Sequence, residues 1–194
     1  MSPKVIFGGA DNERDVAAVQ MSLFDLEQYS LIVERYEQKI LNYIRRISGA
    51  SYEEAEDIAQ EIFLKAYVNL RDFDEKKKFS SWLFAIAHNE TISYWRKNKK
   101  NLTMVDIEED YLEVLLKKDP DLAEQIDIKQ RKTVVQTALK KLNLKYRAIL
   151  DLRYTQDLSY EEISDIIKKP KNTVGTLINR AKKELKKELS SKPL

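Results

Sequence analysis

The chain has 194 residues, and its 34 Lys plus Arg against 32 Asp plus Glu leave a formal net charge of +2. Four Gly and four Pro supply too few turns for an all-β protein, so we expect an all-α chain of one or two small domains. The absence of cysteine excludes disulfides, thiolate metal sites and thiol redox chemistry, and it favours the cytoplasm. No stretch approaches the roughly 18 apolar residues of a membrane span.

Two segments lie outside the predicted helices of the first two thirds of the chain. The apolar run within residues 1–22 is too short for a signal peptide. We expect these residues to be a poorly ordered N-terminal segment, which we call the lead-in. Residues 101–128 contain nine acidic and two basic residues, a local charge of −7. This composition predicts a flexible acidic linker between two helical units.

Three helical segments are predicted between the lead-in and the linker. Apolar residues recur at helical spacing over residues 23–47. Ser51 and Glu54 then have the spacing of a capping box, in which each side chain accepts a hydrogen bond from the backbone of the other residue. The apolar positions of residues 55–70 step by three and four, which predicts one buried stripe on this helix. A further helix is predicted over residues 80–97.

The last third of the chain has the outline of a helix-turn-helix. Ser159 and Glu162 repeat the capping box, and Pro170 ends this short helix and opens the next one at its first helical position. Residues 168–194 carry nine basic and two acidic residues, a local charge of +7. The second helix would therefore present a polar, basic face to duplex DNA. The alternative interpretation is that this face is exposed to solvent and binds nothing. The outward residues are Lys171, Asn172, Thr173, Thr176, Asn179 and Arg180.

Two other surfaces have weaker signals. Residues 94–100 place aromatic rings beside cations, as single-stranded nucleic acid requires for stacking and phosphate contacts; Trp95 could equally pack inside. Asp57, Gln60 and Glu61 stand at i, i+3 and i+4, opposite the apolar stripe of their helix. They form either a solvated helix face or a docking face for a basic partner.

Three motifs stand in a fixed order along the chain. They are EDIAQEIFLKAY at 56–67, FSSWLFAIAHN at 79–89, and LSYEEI at 158–163 followed by Pro170. In this order they resemble bacterial sigma factors of the extracytoplasmic-function group of the sigma-70 family. The resemblance implies two helical domains and a linker: sigma region 2 at residues 23–100, the linker at 101–128, and sigma region 4 at 129–190.

The resemblance also implies a role for each surface. Asp57, Gln60 and Glu61 would bind the clamp helices of the largest catalytic subunit of RNA polymerase, and region 4 would contact the flap. Contacts to the melted minus-10 element would come from the bend at residues 71–79 and from Asn89, Ser93, Arg96 and Lys97. The outward face of the last helix would read the minus-35 element. An anti-sigma protein is an implied partner, and neither a cofactor nor a catalytic site is expected.

Linker length is compatible with two promoter contacts. Elements two helical turns apart are separated by roughly 70 Å. The 28 linker residues reach about 95 Å when extended but only about 30 Å as a free coil. The linker can therefore bridge the two elements if it is held stretched, and a positively charged polymerase cleft would suit its charge.

The chain departs from the family pattern at four positions. Lys168 stands where glycine is usual in the turn, Gly175 where a basic residue is usual, and Leu177 where arginine is frequent. His88 replaces a commoner arginine, and we interpret it as structural or as a neighbour of phosphate.

Other classes of protein fit the chain less well. Enzymatic function lacks candidate residues, because there is one histidine, no cysteine, no Gly-rich phosphate loop and no nucleophile motif. The main alternative is a stand-alone helix-turn-helix repressor or activator, which would bind a palindromic operator tightly by itself. A helical interaction scaffold would have no role on DNA.

Overall fold

All regular structure in the computed structural model is helical, over the residues that it describes: 9–98, 118 and 131–190. The prediction of an all-α chain is confirmed. The α-helices are α1 (Gly9–Ser22), α2 (Leu26–Ser48), α3 (Tyr52–Val68), α4 (Phe79–Asn98), α5 (Arg131–Lys141), α6 (Leu144–Leu150), α7 (Tyr160–Ile167) and α8 (Lys171–Ser190). A 3-10 turn (Leu70–Asp72) follows α3 and a π-helical turn (Asp151–Thr155) follows α6. None of these helices has both the length and the apolar content to cross a bilayer.

Helices α2, α3 and α4 pack against one another to form the first helical unit. Ile44, Ile62 and Leu83, one from each helix, are fully buried between them. In the second unit, α8 packs against α5, α6 and α7. Each helix turns one apolar stripe to its unit's core, so its polar stripe is left on the surface.

Local capping signals define the helix ends. Both predicted capping boxes are present: the Glu54 and Glu162 backbone N–H groups donate to the Ser51 and Ser159 hydroxyls at 3.2 Å, and the glutamate side chains accept from the serine N–H groups in return. Helix α2 ends at Gly49, which adopts φ 77°. Because this left-handed conformation is strained for residues with a side chain, glycine suits the position.

Helix α1 differs from the expected poorly ordered lead-in. It packs across α2 and α4, and Asp15 is buried where it pairs with Arg35 and accepts a hydrogen bond from the Tyr36 hydroxyl. Asn12 Oδ1 accepts from the Phe79 N–H at 3.0 Å, at the start of α4. These partners lie 20 or more residues away in the sequence, so the local pattern of residues 1–22 does not reveal them.

The predicted linker, residues 101–128, lies outside the described residues except for Lys118. The Lys118 ammonium lies 2.9 Å from the Asp157 carboxylate, on the loop before α7. This ion pair is exposed and therefore contributes little to stability.

The helix-turn-helix consists of α7, a short turn and α8. The Pro170 carbonyl accepts from the Thr173 and Val174 N–H groups at 2.8 and 3.1 Å. The proline therefore precedes α8, which begins at Lys171, one residue later than predicted. The apolar stripe of α8 is buried, and it consists of Val174, Leu177, Ile178, Ala181 and Leu185.

Replacing Lys168 with glycine is expected to stabilise the protein. Lys168 ends α7 with φ 51° and ψ 50°, a conformation that costs a non-glycine residue about 1 kcal/mol. We expect Lys168→Gly to raise the melting temperature by about 2–4 °C in calorimetry. Lys169→Gly is the control, because Lys169 has no positive φ, and it should not stabilise. A lower melting temperature for Lys168→Gly would contradict the prediction.

Candidate nucleic-acid interface

The polar face of α3 is exposed. Asp57, Gln60 and Glu61 all lie on the surface, while Ala55, Ile58 and Ile62 of the same helix are buried. Glu61 lies 3.4 Å from the Lys65 ammonium, which also contacts Glu90 at 2.6 Å. The hydrogen bond to Glu90 is the largest cause of the raised pKa of Lys65. Asp57, Gln60 and Glu61 thus form one outward surface, which we call the α3 face.

Helix α4 carries the predicted minus-10 residues on one exposed stripe. Asn89, Ser93, Arg96 and Lys97 are all exposed and stand at i, i+4, i+7 and i+8, which places them on one side of a helix. The opposite side is anchored in the core, where Thr91 is fully buried and its hydroxyl donates to the Ala87 carbonyl at 2.7 Å. We call this exposed stripe the α4 face.

Aromatic packing anchors the bend at residues 71–79 to the start of α4. The ring of Phe73 lies 5.3 Å from that of Phe79 and 5.6 Å from that of Trp82, between centroids. Phe73 and Phe79 are buried and Trp82 is half-buried. These ring pairs stabilise the contact between the bend and α4 beyond what burial alone provides. The bend and its polar residues are therefore held in place against the start of α4.

Tyr94 belongs to the predicted basic and aromatic cluster, but it is bound inside the first unit. Its hydroxyl donates to the Glu54 Oε1 atom at 2.7 Å. Desolvation and this carboxylate raise the pKa of Tyr94 to about 12. Tyr94 thus joins α4 to the capping box of α3, whereas Trp95 is half-buried at the edge of the α4 face.

His88 is a structural residue at the base of the α4 face. The Tyr43 hydroxyl lies 2.8 Å from His88 Nδ1, and burial lowers the pKa of the imidazole to about 4. The ring is therefore neutral at pH 7, so it cannot neutralise a phosphate. Of the two interpretations drawn from the sequence, the structural one is the better supported.

The outward face of α8 holds most of the predicted minus-35 residues. Lys171, Asn172, Thr176, Asn179 and Arg180 are exposed, whereas Thr173 is half-buried. The Lys171 ammonium pairs with Glu161 at the start of α7. The Thr176 hydroxyl donates to the Asn172 carbonyl at 3.0 Å, within the helix. Asn179 and Arg180 continue this exposed face one turn beyond Thr176.

Two of the family departures lie at packed positions of α8. Leu177 is only 4% exposed, so it belongs to the core of the helix-turn-helix and does not face DNA. A Cβ atom added at Gly175 would lie 3.4 Å from the Tyr160 ring, so this part of α8 lies against α7. The outward residues of α8 therefore remain the candidates for base contacts.

Charged contacts between the two helical units were not predicted. Lys77 and Lys78 of the bend pair with Asp165 and Glu162 of α7, at 2.9 and 3.0 Å. The partners are separated by more than 80 residues, and the local role of Glu162, which caps α7, does not point to Lys78. No local pattern in the sequence identifies such pairs.

The folded units and their exposed faces define a helical DNA-binding protein of the helix-turn-helix class. Residues 32–101 match the family model of sigma-70 region 2, and residues 132–185 match that of sigma-70 region 4. The chain belongs to the extracytoplasmic-function group of RNA polymerase sigma factors, the sigma-70-family proteins that direct polymerase to promoters.

Similar proteins span nearly the whole chain. The sigma factor SigW of Bacillus subtilis is 38% identical over 176 residues, which cover 88% of this chain and 93% of SigW. The sigma-H factor of Pseudomonas aeruginosa is 32% identical, over 85% of this chain and 88% of that protein. The solved structure of CnrH in complex with the cytosolic domain of CnrY has a TM-score of 0.63 at 20% identity, covering 92% of this chain and 97% of that chain. That likeness supports the fold.

Proposed function

We propose that the α3 face, the α4 face and the outward face of α8 act together in one initiation complex. The α3 face binds the clamp helices of the largest polymerase subunit, and region 4 contacts the flap. The observation that carries the proposal is that each predicted set lies on the polar side of a helix whose apolar side is buried. Binding there leaves both folded cores intact.

The α4 face and the bend contact the non-template strand of the minus-10 element. Arg96 and Lys97 meet phosphates, and Asn89 and Ser93 offer hydrogen bonds to unpaired base edges. Taking a base out of the stack costs a few kcal/mol, which stacking on an aromatic ring and phosphate contacts offset. The half-buried Trp95 is suitably placed for such stacking.

Further parts of the proposal concern the chain's partners and setting. Structures similar to this chain include the sigma factor RpoE in complex with the anti-sigma factor NepR from Bartonella quintana, and CnrH in complex with the cytosolic domain of CnrY. An anti-sigma protein is therefore a proposed partner of this chain. The chain performs no reaction of its own, and it acts in the cytoplasm, where polymerase is found.

Run-off transcription tests the proposed function. Purified core polymerase and a cognate promoter, selected from a library of genomic fragments, should give a transcript only when the chain is added. Initiation that does not depend on the chain would contradict the proposal. Tight binding of the chain alone to a palindromic operator would favour the repressor or activator alternative.

Removing Arg180 is expected to weaken recognition of the minus-35 element. A base contact by arginine contributes about 1–3 kcal/mol of discrimination between sequences. Arg180→Ala should therefore lower the ratio of the affinities for an intact and a scrambled minus-35 element about tenfold. Lys187→Ala is the charge-matched control, because Lys187 is exposed near the far end of α8. An unchanged preference in Arg180→Ala would contradict this role.

A further inference from the structure

Helix α1 lies behind the bend and the start of α4. It packs against α2 and α4, and Ala18 and Val19 on its apolar side are buried in the core. Asn12 and Asp15 stand at i and i+3, which places their side chains on one side of the helix. Both connect to Phe79, the first residue of α4, by different routes.

Asn12 caps α4 from a distant part of the sequence. The Trp82 N–H donates to the Lys78 carbonyl at 3.2 Å, so Lys78 holds the position whose side chain normally accepts from a backbone N–H of the first turn. A lysine ammonium cannot accept such a bond. Asn12 Oδ1 instead accepts from the Phe79 N–H at 3.0 Å, across 67 residues of sequence. Asn12 therefore supplies the cap that Lys78 cannot.

The second route runs through a buried aspartate. Asp15 is 4% exposed, and it accepts a hydrogen bond from the Tyr36 hydroxyl. The Tyr36 ring lies edge-on to the Phe79 ring, with 5.7 Å between centroids, and Phe79 contacts Phe73 of the bend. Such ring pairs hold a defined geometry because the positive edge of one ring meets the negative face of the other. Asp15 therefore orients the ring on which the aromatic anchor of the bend packs.

Between its two phenylalanine anchors the bend is a solvent-exposed loop. Residues 74–78 are all exposed, and a hydrogen bond from the Lys77 N–H to the Asp74 carbonyl at 2.9 Å forms a turn among them. From α1, the Gln20 amide donates to the Glu75 carboxylate at 3.1 Å. An exposed loop with few buried contacts of its own moves readily unless its ends are held. Helix α1 therefore helps to fix the conformation of the bend.

We propose that α1 is a positioning element for recognition of the minus-10 element, with Asn12 as its positioning residue. Asn12 holds the start of α4, so that the bend and the α4 face present their polar side chains in one arrangement. A loop in many conformations can bind phosphates, whereas hydrogen bonds to base edges require a fixed geometry. Loss of the cap should therefore reduce discrimination between sequences more than overall affinity. This inference rests on the proposed function, which assigns the minus-10 element to these two surfaces.

Discrimination at the minus-10 element tests the proposal in the complex of the chain with core polymerase. The complex is titrated with fork-junction DNA whose single-stranded minus-10 element is either cognate or scrambled, while the minus-35 element stays the same. Asn12→Leu has a side chain of similar size without an acceptor, and it should lower the ratio of the two affinities about fivefold. Asn12→Asp keeps an acceptor oxygen at the positive end of α4, so it should retain the ratio of the wild type.

Asn143→Leu is the matched control for stability. The Asn143 side chain caps α6 in the second unit, where it accepts from the Tyr146 N–H at 3.0 Å. Because each leucine variant loses the same kind of bond, both should lower the melting temperature by about 2–4 °C. Only Asn12→Leu should change discrimination at the minus-10 element, because Asn143 holds neither the bend nor α4.

Amide hydrogen exchange, followed by NMR, reports on the cap itself. The first backbone N–H groups of a helix have no partner within that helix, and the Phe79 N–H has its partner in Asn12. Exchange of the Phe79 amide should be slow in the wild type and in Asn12→Asp. It should be at least about tenfold faster in Asn12→Leu and unchanged in Asn143→Leu.

The outcomes separate this inference from the proposed function. If the unmodified chain with core polymerase has no preference for the cognate minus-10 element, the proposed function fails and this inference fails with it. If that preference exists and Asn12→Leu keeps it, the positioning role is overturned while the function stands. Equal losses of preference in Asn12→Leu and Asn12→Asp, or in Asn12→Leu and Asn143→Leu, would also overturn the role. So would a Phe79 amide that exchanges at the same rate in Asn12→Leu as in the wild type.

Discussion

Asp57→Arg is expected to weaken binding to core polymerase about 30-fold, or by about 2 kcal/mol. The substitution places a positive charge in the middle of the α3 face, where a basic partner surface is proposed, and like charges brought together at an interface cost this much or more. Fluorescence anisotropy of the labelled chain, titrated with core polymerase, measures the change. Initiation should fall in parallel at limiting concentrations.

The control for Asp57→Arg is the same change of charge elsewhere in region 2. Glu34 is exposed on α2, beside α1 and away from the α3 face. Both substitutions should change the free energy of unfolding by only about 0.5 kcal/mol. An equal loss of binding in Glu34→Arg, or full binding by Asp57→Arg, would show that the α3 face does not bind polymerase.

Mild acid is expected to destabilise the fold through His88. Its pKa is about 4 in the folded chain against about 6.5 in the unfolded chain, so the unfolded state binds the proton more readily. The stabilisation by the neutral imidazole is complete above pH 6.5 and is lost progressively as the pH falls toward 4. Between pH 7 and pH 4.5 the loss is about 2.5 kcal/mol.

Denaturation of the wild type and of His88→Gln at a series of pH values isolates this effect. Other acidic groups contribute equally to both proteins, so the wild type should lose about 2.5 kcal/mol more than the variant over this range. The imidazole can also be followed by NMR without ambiguity, because it is the chain's one histidine. Parallel stability curves, or an NMR titration near pH 6.5, would contradict the prediction.

The elements that were predicted correctly depend on short spacings. A capping box needs two residues three positions apart, as in Ser51 and Glu54. The apolar stripe predicted for residues 55–70 needs only a helical period, and Ile58 and Ile62 are indeed buried. Such patterns are complete within a few residues, so the sequence reveals them before any tertiary contact is known.

The elements that were missed depend on distant partners. Helix α1 is anchored through Asp15, whose partners are Arg35 and Tyr36 on α2. Tyr94 resembles a base-stacking residue in the sequence, but it binds Glu54, 40 residues away. A buried aspartate and a bound tyrosine have the same local spacing as exposed ones, so periodicity cannot distinguish them.

The sequence by itself determined the helices, the helix-turn-helix outline, the family and the three outward faces, because each follows from residues close together in the chain or from motifs in a fixed order. Only the tertiary structure decided that His88 is neutral, that Leu177 is a core residue, and that region 4 meets the bend. Burial and electrostatics arise from side chains that folding brings together across more than 80 residues, as in Lys77 and Asp165.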